Sequence, residues 1–123
     1  MTQSVVNILV VNSKGGCGKT TVATNLAAAY ANGGKSVALF DCDPQASAQQ
    51  WTGARGLDLP SIDLYHRPEP AKIDPSTMVG YNTCIFDSGP GISTQPTLRT
   101  EFEALLKLSD VIVVPMLSSA WDI

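Results

Sequence analysis

Short, almost unbroken apolar runs punctuate this chain, at residues 5–11 (VVNILVV), 36–40 (SVALF), 81–86 (YNTCIF) and 110–116 (DVIVVPM). Runs of this length, rich in β-branched residues and without polar alternation, read as strands buried on both faces. A shorter strand is predicted at 62–65. The intervening segments change period. In 21–32, Val22, Ala23, Leu26, Ala27 and Tyr30 recur at helical spacing, and Gly33-Gly34 ends the helix. Pro44 is suited to a first helical turn, which 46–54 would continue with Trp51 as its large apolar contact. Residues 98–108 form an amphipathic helix, with Phe102, Leu105, Leu106 and Leu108 on or near one face. Residues 56–75 are the least patterned, and Pro68, Pro70 and Pro75 break up the chain beyond the short strand. Strands alternating with helices predict an α/β fold: a mainly parallel sheet with helices on both faces, in a single domain over 1–123.

Composition narrows the function. The 123 residues suit one domain, and 44% apolar against 15% charged residues suits a folded core rather than disorder. With 8 basic against 11 acidic residues the net charge is −3, so the chain has no general attraction for DNA or anionic membrane; binding there would need a local basic patch, and none is visible. No basic region precedes the first apolar run, which is too short to span a bilayer, so a cytoplasmic protein is expected. Cys17, Cys42 and Cys84 form no Cys-x-x-Cys pair, and the expected place of Cys42 and Cys84 is in or beside buried strands. Ser119-Ala120-Trp121-Asp122 fits a helix-capping signal followed by a single residue, so the expectation is a chain lacking its C-terminal part.

The first run leads into Ser13-Lys14-Gly15-Gly16-Cys17-Gly18-Lys19-Thr20-Thr21 and then a helix. That strand–glycine loop–helix context is what a phosphate-binding loop requires. Glycines at 15, 16 and 18 let backbone N–H groups, Cys17's among them, turn toward phosphate oxygens, and the helix beginning near Lys19 directs its positive end to the same place. Lys19 would reach the terminal phosphates, Thr20 would bind magnesium, and Thr21 would reach an inner phosphate. Ser13 stands where the common pattern has its first glycine, and Lys14 adds a second cation. Asp41, Asp43 and Asp87 fall at the carboxyl ends of strands, where ligands bind in open parallel sheets; each could equally serve as a cap or turn residue.

The segment from Lys14 to Thr21 resembles the deviant Walker-A loop of the ParA/MinD family of ATPases, most like the short ParA-type partition ATPases. The resemblance implies an incomplete, N-terminal part of a P-loop NTPase that binds ATP and Mg2+. It implies that Lys14 crosses a dimer interface to the phosphates bound by the partner subunit. Asp41-Cys42-Asp43-Pro44-Gln45 resembles the family's second motif: there the position of Asp43 orients or activates the attacking water, and that of Asp41 supports magnesium through its waters. Ile85-Phe86-Asp87 resembles the Walker-B strand, whose aspartate holds the magnesium hydration shell. Ser88-Gly89-Pro90-Gly91 departs from the frequent Thr-Pro-Pro and is expected to form a switch loop. Ala46-Ser47-Ala48 with Trp51 and Arg55 also matches the partition pattern.

The resemblance implies a slow ATPase that positions a plasmid, a chromosome region or a protein assembly. An ATP-dependent homodimer, nonspecific nucleoid DNA for the full-length protein and an activating ParB-type partner belong to that expectation. So does a C-terminal part carrying adenine contacts and most of the DNA surface. A MinD-like membrane-associated division-site ATPase is the alternative; it needs an amphipathic C-terminal helix. An electron-transfer ATPase with cluster-holding cysteines and a synthetase phosphorylating a carboxylate use the same loop. A chain cut within its sheet could also cover the open edge by forming a swapped oligomer.

Overall fold

The apolar runs fold as parallel strands, joined by helices that pack on opposite faces. The computed structural model describes residues 5–11, 19–44, 48 and 59–115, the side chains of residues 19 and 20 excepted. The loop from 12 to 18, most of the helix expected over 46–54, and the capping signal at 119–122 lie outside these residues. In chain order the elements are β1 (Val6–Val10), α1 (Lys19–Asn32), β2 (Val37–Asp41), β3 (Asp63–His66), β4 (Thr83–Asp87), α2 (Arg99–Leu108) and β5 (Val111–Val113). The strands form one parallel sheet in the order β3-β2-β4-β1-β5. The prolines after β3 open short 3-10 turns at Pro70–Lys72 and Pro75–Met78.

Burial follows position in the sheet. Every residue of β2 and β4 is buried, because each has a strand on either side and packed side chains on both faces. On one face Ile8, Val10, Val37, Leu39 and Ile85 meet α1. On the other Leu9, Ala38, Phe40, Cys84 and Phe86 meet Leu105 of α2, with Phe102 and Leu108 beside it. α1 turns Ala23, Ala27 and Ala31 to the sheet, while the larger Val22, Leu26 and Tyr30 are only partly buried. Small residues four apart let the helix axis approach closely, and the larger side chains close the margins.

The expectation of a buried strand over 110–116 needs correction. β5 spans three residues at the sheet edge, and Val111, Ile112 and Val114 are 44%, 49% and 50% exposed. An apolar run shows that a strand suits a buried place. Position in the sheet decides whether anything covers it.

The opposite edge, β3, is held by side chains. Tyr65 stacks on Phe40 and Phe40 on Phe86, each pair with ring centroids 4.9 Å apart. Their register explains the ladder: all three occupy facing positions on adjacent parallel strands. The Tyr81 hydroxyl donates to Asp63 and lies 2.9 Å from the Tyr65 hydroxyl. Burial, then that bond to Asp63, pushes the Tyr81 phenol above its ordinary range, so it stays a donor. The Arg67 guanidinium sits 5.3 Å above the Tyr65 ring.

α1 ends where Gly33-Gly34 predicted. The Gly34 N–H donates to Ala31 O at 3.0 Å, the Lys35 N–H donates to Tyr30 O at 3.1 Å, and Gly34 has φ of +86°. This is the left-handed helix stop that glycine favours. A β-carbon at position 34 would meet nothing within 4 Å, so substitution costs backbone strain alone. Gly34→Ala is expected to lower unfolding stability by about 1–2 kcal/mol, read as a lower urea midpoint at unchanged slope.

Candidate functional site

Parallel pairing aligns the strand ends in one row: His66 beside Asp41, Asp41 beside Asp87, Asp87 beside Val10, and Val10 beside Val113. Val10 is the last residue of β1, and α1 begins at Lys19. The candidate phosphate loop therefore leaves the sheet next to Asp87. The connections after β1 and β4 run to opposite sides of the sheet, which makes the gap between these strands the switch point where open parallel sheets bind ligands.

Asp41 and Asp87 are fully buried on adjacent strands, and Asp43 is 8% exposed in the loop beyond. Asp41 shapes that loop. Its Oδ1 accepts the Asp43 N–H at 3.0 Å and its Oδ2 accepts the Ala48 N–H at 3.0 Å. A buried carboxylate needs such donors, and here local main chain supplies them. The two bonds span the turn that carries Asp43 and Pro44. Each carboxylate oxygen keeps a second lone pair, so contact with a metal-bound water remains open to Asp41.

The loop after β4 is also fastened. The Ser88 hydroxyl, fully buried, donates to Val10 O at 2.9 Å, tying β4 to the point where the phosphate loop departs. The Cys42 N–H donates to Asp87 O at 2.9 Å. Gly89 lies so close to the Asp43 loop that a β-carbon there would stand 3.2 Å from the Cys42 carbonyl oxygen and 3.6 Å from Pro44 Cδ.

Of the site residues read from sequence, the structure brings Asp41, Asp43 and Asp87 together. Lys19 and Thr20 open α1, and Thr21 is exposed in its first turn. Lys14, Gly15, Gly16, Cys17 and Gly18 lie outside the described residues. Sequence reasoning missed Ser88 and His66. Ser88 had been visible as a departure from the family pattern. His66, the single histidine of the chain, stood in a stretch with little pattern; its ring Nε2 lies 3.1 Å from the Asp43 carbonyl oxygen.

The donor set suits a hard divalent cation or its water shell, since two buried carboxylates face the same strand ends. Among the described residues no cluster of three or more His, Cys, Asp or Glu could hold a metal ion by itself. Magnesium commonly shares its coordination with phosphates and waters, which fits so small a protein contribution. Cys42 and Cys84 are buried, and burial pushes the Cys84 thiol up to about 11, away from the thiolate that cluster ligation uses. Among the described residues no helix is long and apolar enough to cross a membrane.

The chain is similar in sequence and fold to known proteins. Residues 8–113 match the model of the CobQ/CobB/MinD/ParA nucleotide binding domain. A maintenance of carboxysome distribution protein A from Gloeobacter kilaueensis is 36% identical over 109 residues, covering 88% of this chain and 47% of that protein. A chromosome-partitioning ATPase Soj from Thermus thermophilus is 53% identical over 51 residues, covering 42% of this chain and 20% of that protein. Cobyrinic acid a,c-diamide synthase from Mycobacterium smegmatis, solved with ADP and magnesium, superposes with a TM-score of 0.68 at 19% identity, covering 91% of this chain and 60% of that one. That likeness concerns the fold, a P-loop NTPase sheet. The chain spans about half the length of the curated carboxysome-distribution relatives it matches, 47% and 52%.

Asp41→Asn retains an acceptor for one N–H and turns an amide donor toward another donor. With a buried N–H left unpaired, stability is expected to fall by about 1–3 kcal/mol, measured by urea unfolding without nucleotide. An unchanged midpoint would show that the two bonds do not hold the loop.

Proposed function

The chain belongs to the CobQ/CobB/MinD/ParA nucleotide-binding domain family, and from that membership we propose that it is an ATP-binding, slowly ATP-hydrolysing ParA-like switch that positions cargo through an ATP-dependent dimer. The observation carrying this reading is the row of strand ends, in which buried Asp87 lies beside Val10 at the end of β1 and buried Asp41 lies next to Asp87; the Lys14-to-Thr21 segment read as a phosphate loop follows β1 in the chain. The relatives named for carboxysome distribution and chromosome partitioning support cargo positioning over small-molecule synthesis. The cargo class is a plasmid, a chromosome region or a protein assembly. Nonspecific nucleoid DNA and a ParB-type activator are the proposed partners of the full-length protein, which would then act in the cytoplasm on the nucleoid.

The chain's own residues divide the work of phosphoryl transfer to water, which demands positioning and charge stabilisation more than covalent help. Backbone N–H groups of Gly15, Gly16, Cys17 and Gly18 cradle phosphate oxygens, with the start of α1 aimed at them. Lys19 holds the terminal phosphates and Thr21 an inner one. Lys14 reaches the nucleotide of the partner subunit. Thr20, Asp41 and Asp87 would hold magnesium, Thr20 by its hydroxyl and the two aspartates through the ion's water shell; when bound, the ion would neutralise phosphate charge. Asp43, two residues past the strand end, orients the attacking water. Its burial limits competing solvent, and the Asp41 carboxylate accepts its N–H.

In the full-length chain, ATP with magnesium is expected to convert monomer to dimer in sedimentation and to cause retention on nonspecific DNA. Lys14→Ala is expected to abolish both. If ATP gives neither dimer nor DNA retention, the cargo-switch reading fails. Asp43→Ala is expected to bind ATP within about twofold of the parent and to lose turnover by about 100-fold or more. Unchanged turnover would remove Asp43 from the chemistry.

A further inference from the structure

We propose that His66 is a positioning residue for Asp43, fixing the orientation of the peptide that carries the water-orienting carboxylate. The inference rests on the role given to Asp43 above. It begins with the two polar main-chain atoms of Asp43, which lie beyond the end of β2, where regular pairing no longer serves them. Side chains from two neighbouring strand ends take over. Asp41 Oδ1 accepts the Asp43 N–H at 3.0 Å, and His66 Nε2 lies 3.1 Å from the Asp43 carbonyl oxygen. A carbonyl only accepts, so Nε2 carries the hydrogen and donates it. The next residue, Pro44, restricts Asp43 to extended conformations. N–H, C=O and the following ring thus all constrain the peptide that carries the Asp43 carboxylate.

His66 is itself well placed to do this. It is the last residue of β3, in register with Asp41, and the following Arg67 N–H donates to Asp41 O at 2.8 Å. The strand behind it is anchored by the Tyr65–Phe40–Phe86 ladder and the Tyr81–Asp63 bond. The ring therefore reaches the Asp43 loop from a fixed base. On the other flank Gly89 stands against the Cys42 carbonyl, which limits displacement of the loop away from β3. Catalysis by an oriented water is sensitive to such placement, whereas phosphate binding by a different loop is not.

The test compares His66→Leu, His66→Gln, Asp43→Ala and the Asp43→Ala/His66→Leu double variant in the full-length protein. Turnover, ATP affinity and amide exchange over residues 42–48 are measured for each. His66→Leu is expected to lower kcat by about tenfold, with ATP affinity unchanged. His66→Gln, whose amide nitrogen can donate from a similar position, is expected to restore most of that loss. In the Asp43→Ala background His66→Leu is expected to cost nothing more, because the two act as one unit. Amide exchange over 42–48 without nucleotide is expected to rise in His66→Leu and return in His66→Gln. Loss of turnover in Asp43→Ala with normal turnover in His66→Leu overturns the inference and leaves the proposed function standing. Full turnover in Asp43→Ala overturns the role of Asp43 and the inference with it. An equal fall in ATP affinity, or no rescue by glutamine, also overturns it by pointing to general loosening of the fold. Unchanged exchange in His66→Leu overturns it even where turnover is too slow to measure.

Discussion

Parallel hydrogen bonding between strands fixes a row of residues across the carboxyl edge of this sheet, and the site depends on that register. Because β2, β4 and β1 are paired without a slip, Asp41, Asp87 and Val10 end side by side. Side chains alternate between faces along each strand, so a shift of one residue would exchange every inward and outward position. Phe40 and Phe86 would leave the α2 face, and the two aspartates would no longer align. The apolar packing that selects the register thus also assembles the acidic pair.

Burying two carboxylates side by side is costly without compensation. For Asp41 the answer is local: two backbone N–H groups from the following turn converge on its oxygens. The same bonds give that turn its shape. Charge compensation and loop conformation are here a single arrangement, and neither can be altered without the other. The placement of Asp43 follows from the burial of Asp41, two residues earlier.

The strands of the centre were legible because burial on both faces leaves unbroken apolar runs, and the aspartates stood out as the first charges after them. The stop of α1 was legible because Gly33-Gly34 provides a local conformational reason. Other features depend on partners that a linear pattern does not contain. Nothing local distinguishes 111–113 from a buried strand, and its exposure comes from sheet order. His66 acquires its contact with Asp43 across 23 residues of sequence, through the pairing of β3 with β2. The alanine face of α1 was read as one part of a broader stripe, since periodicity ranks faces but does not show which residues meet the closest approach. The reading of Lys14 to Gly18 rests on spacing and resemblance alone, since these residues lie outside those described.

The departure at Ser88-Gly89-Pro90 from the frequent Thr-Pro-Pro has a steric meaning in this fold. The loops after β2 and β4 carry the acidic residues, and they touch where Gly89 faces the Cys42 carbonyl. A residue with a β-carbon at 89 would press on that oxygen at 3.2 Å, so the neighbouring backbone would have to yield by a few tenths of an ångström. Glycine removes this conflict and lets the loops sit against one another. Ser88, immediately before it, bonds the end of β1 through its hydroxyl. Two consecutive residues therefore join the Asp87 loop to the Asp43 loop on one side and to the origin of the phosphate loop on the other. The end of β4 and the Asp43 loop are thus joined by direct contact between neighbouring strand ends, through the Cys42 N–H bond to the Asp87 carbonyl and the approach of Gly89 to the Cys42 carbonyl.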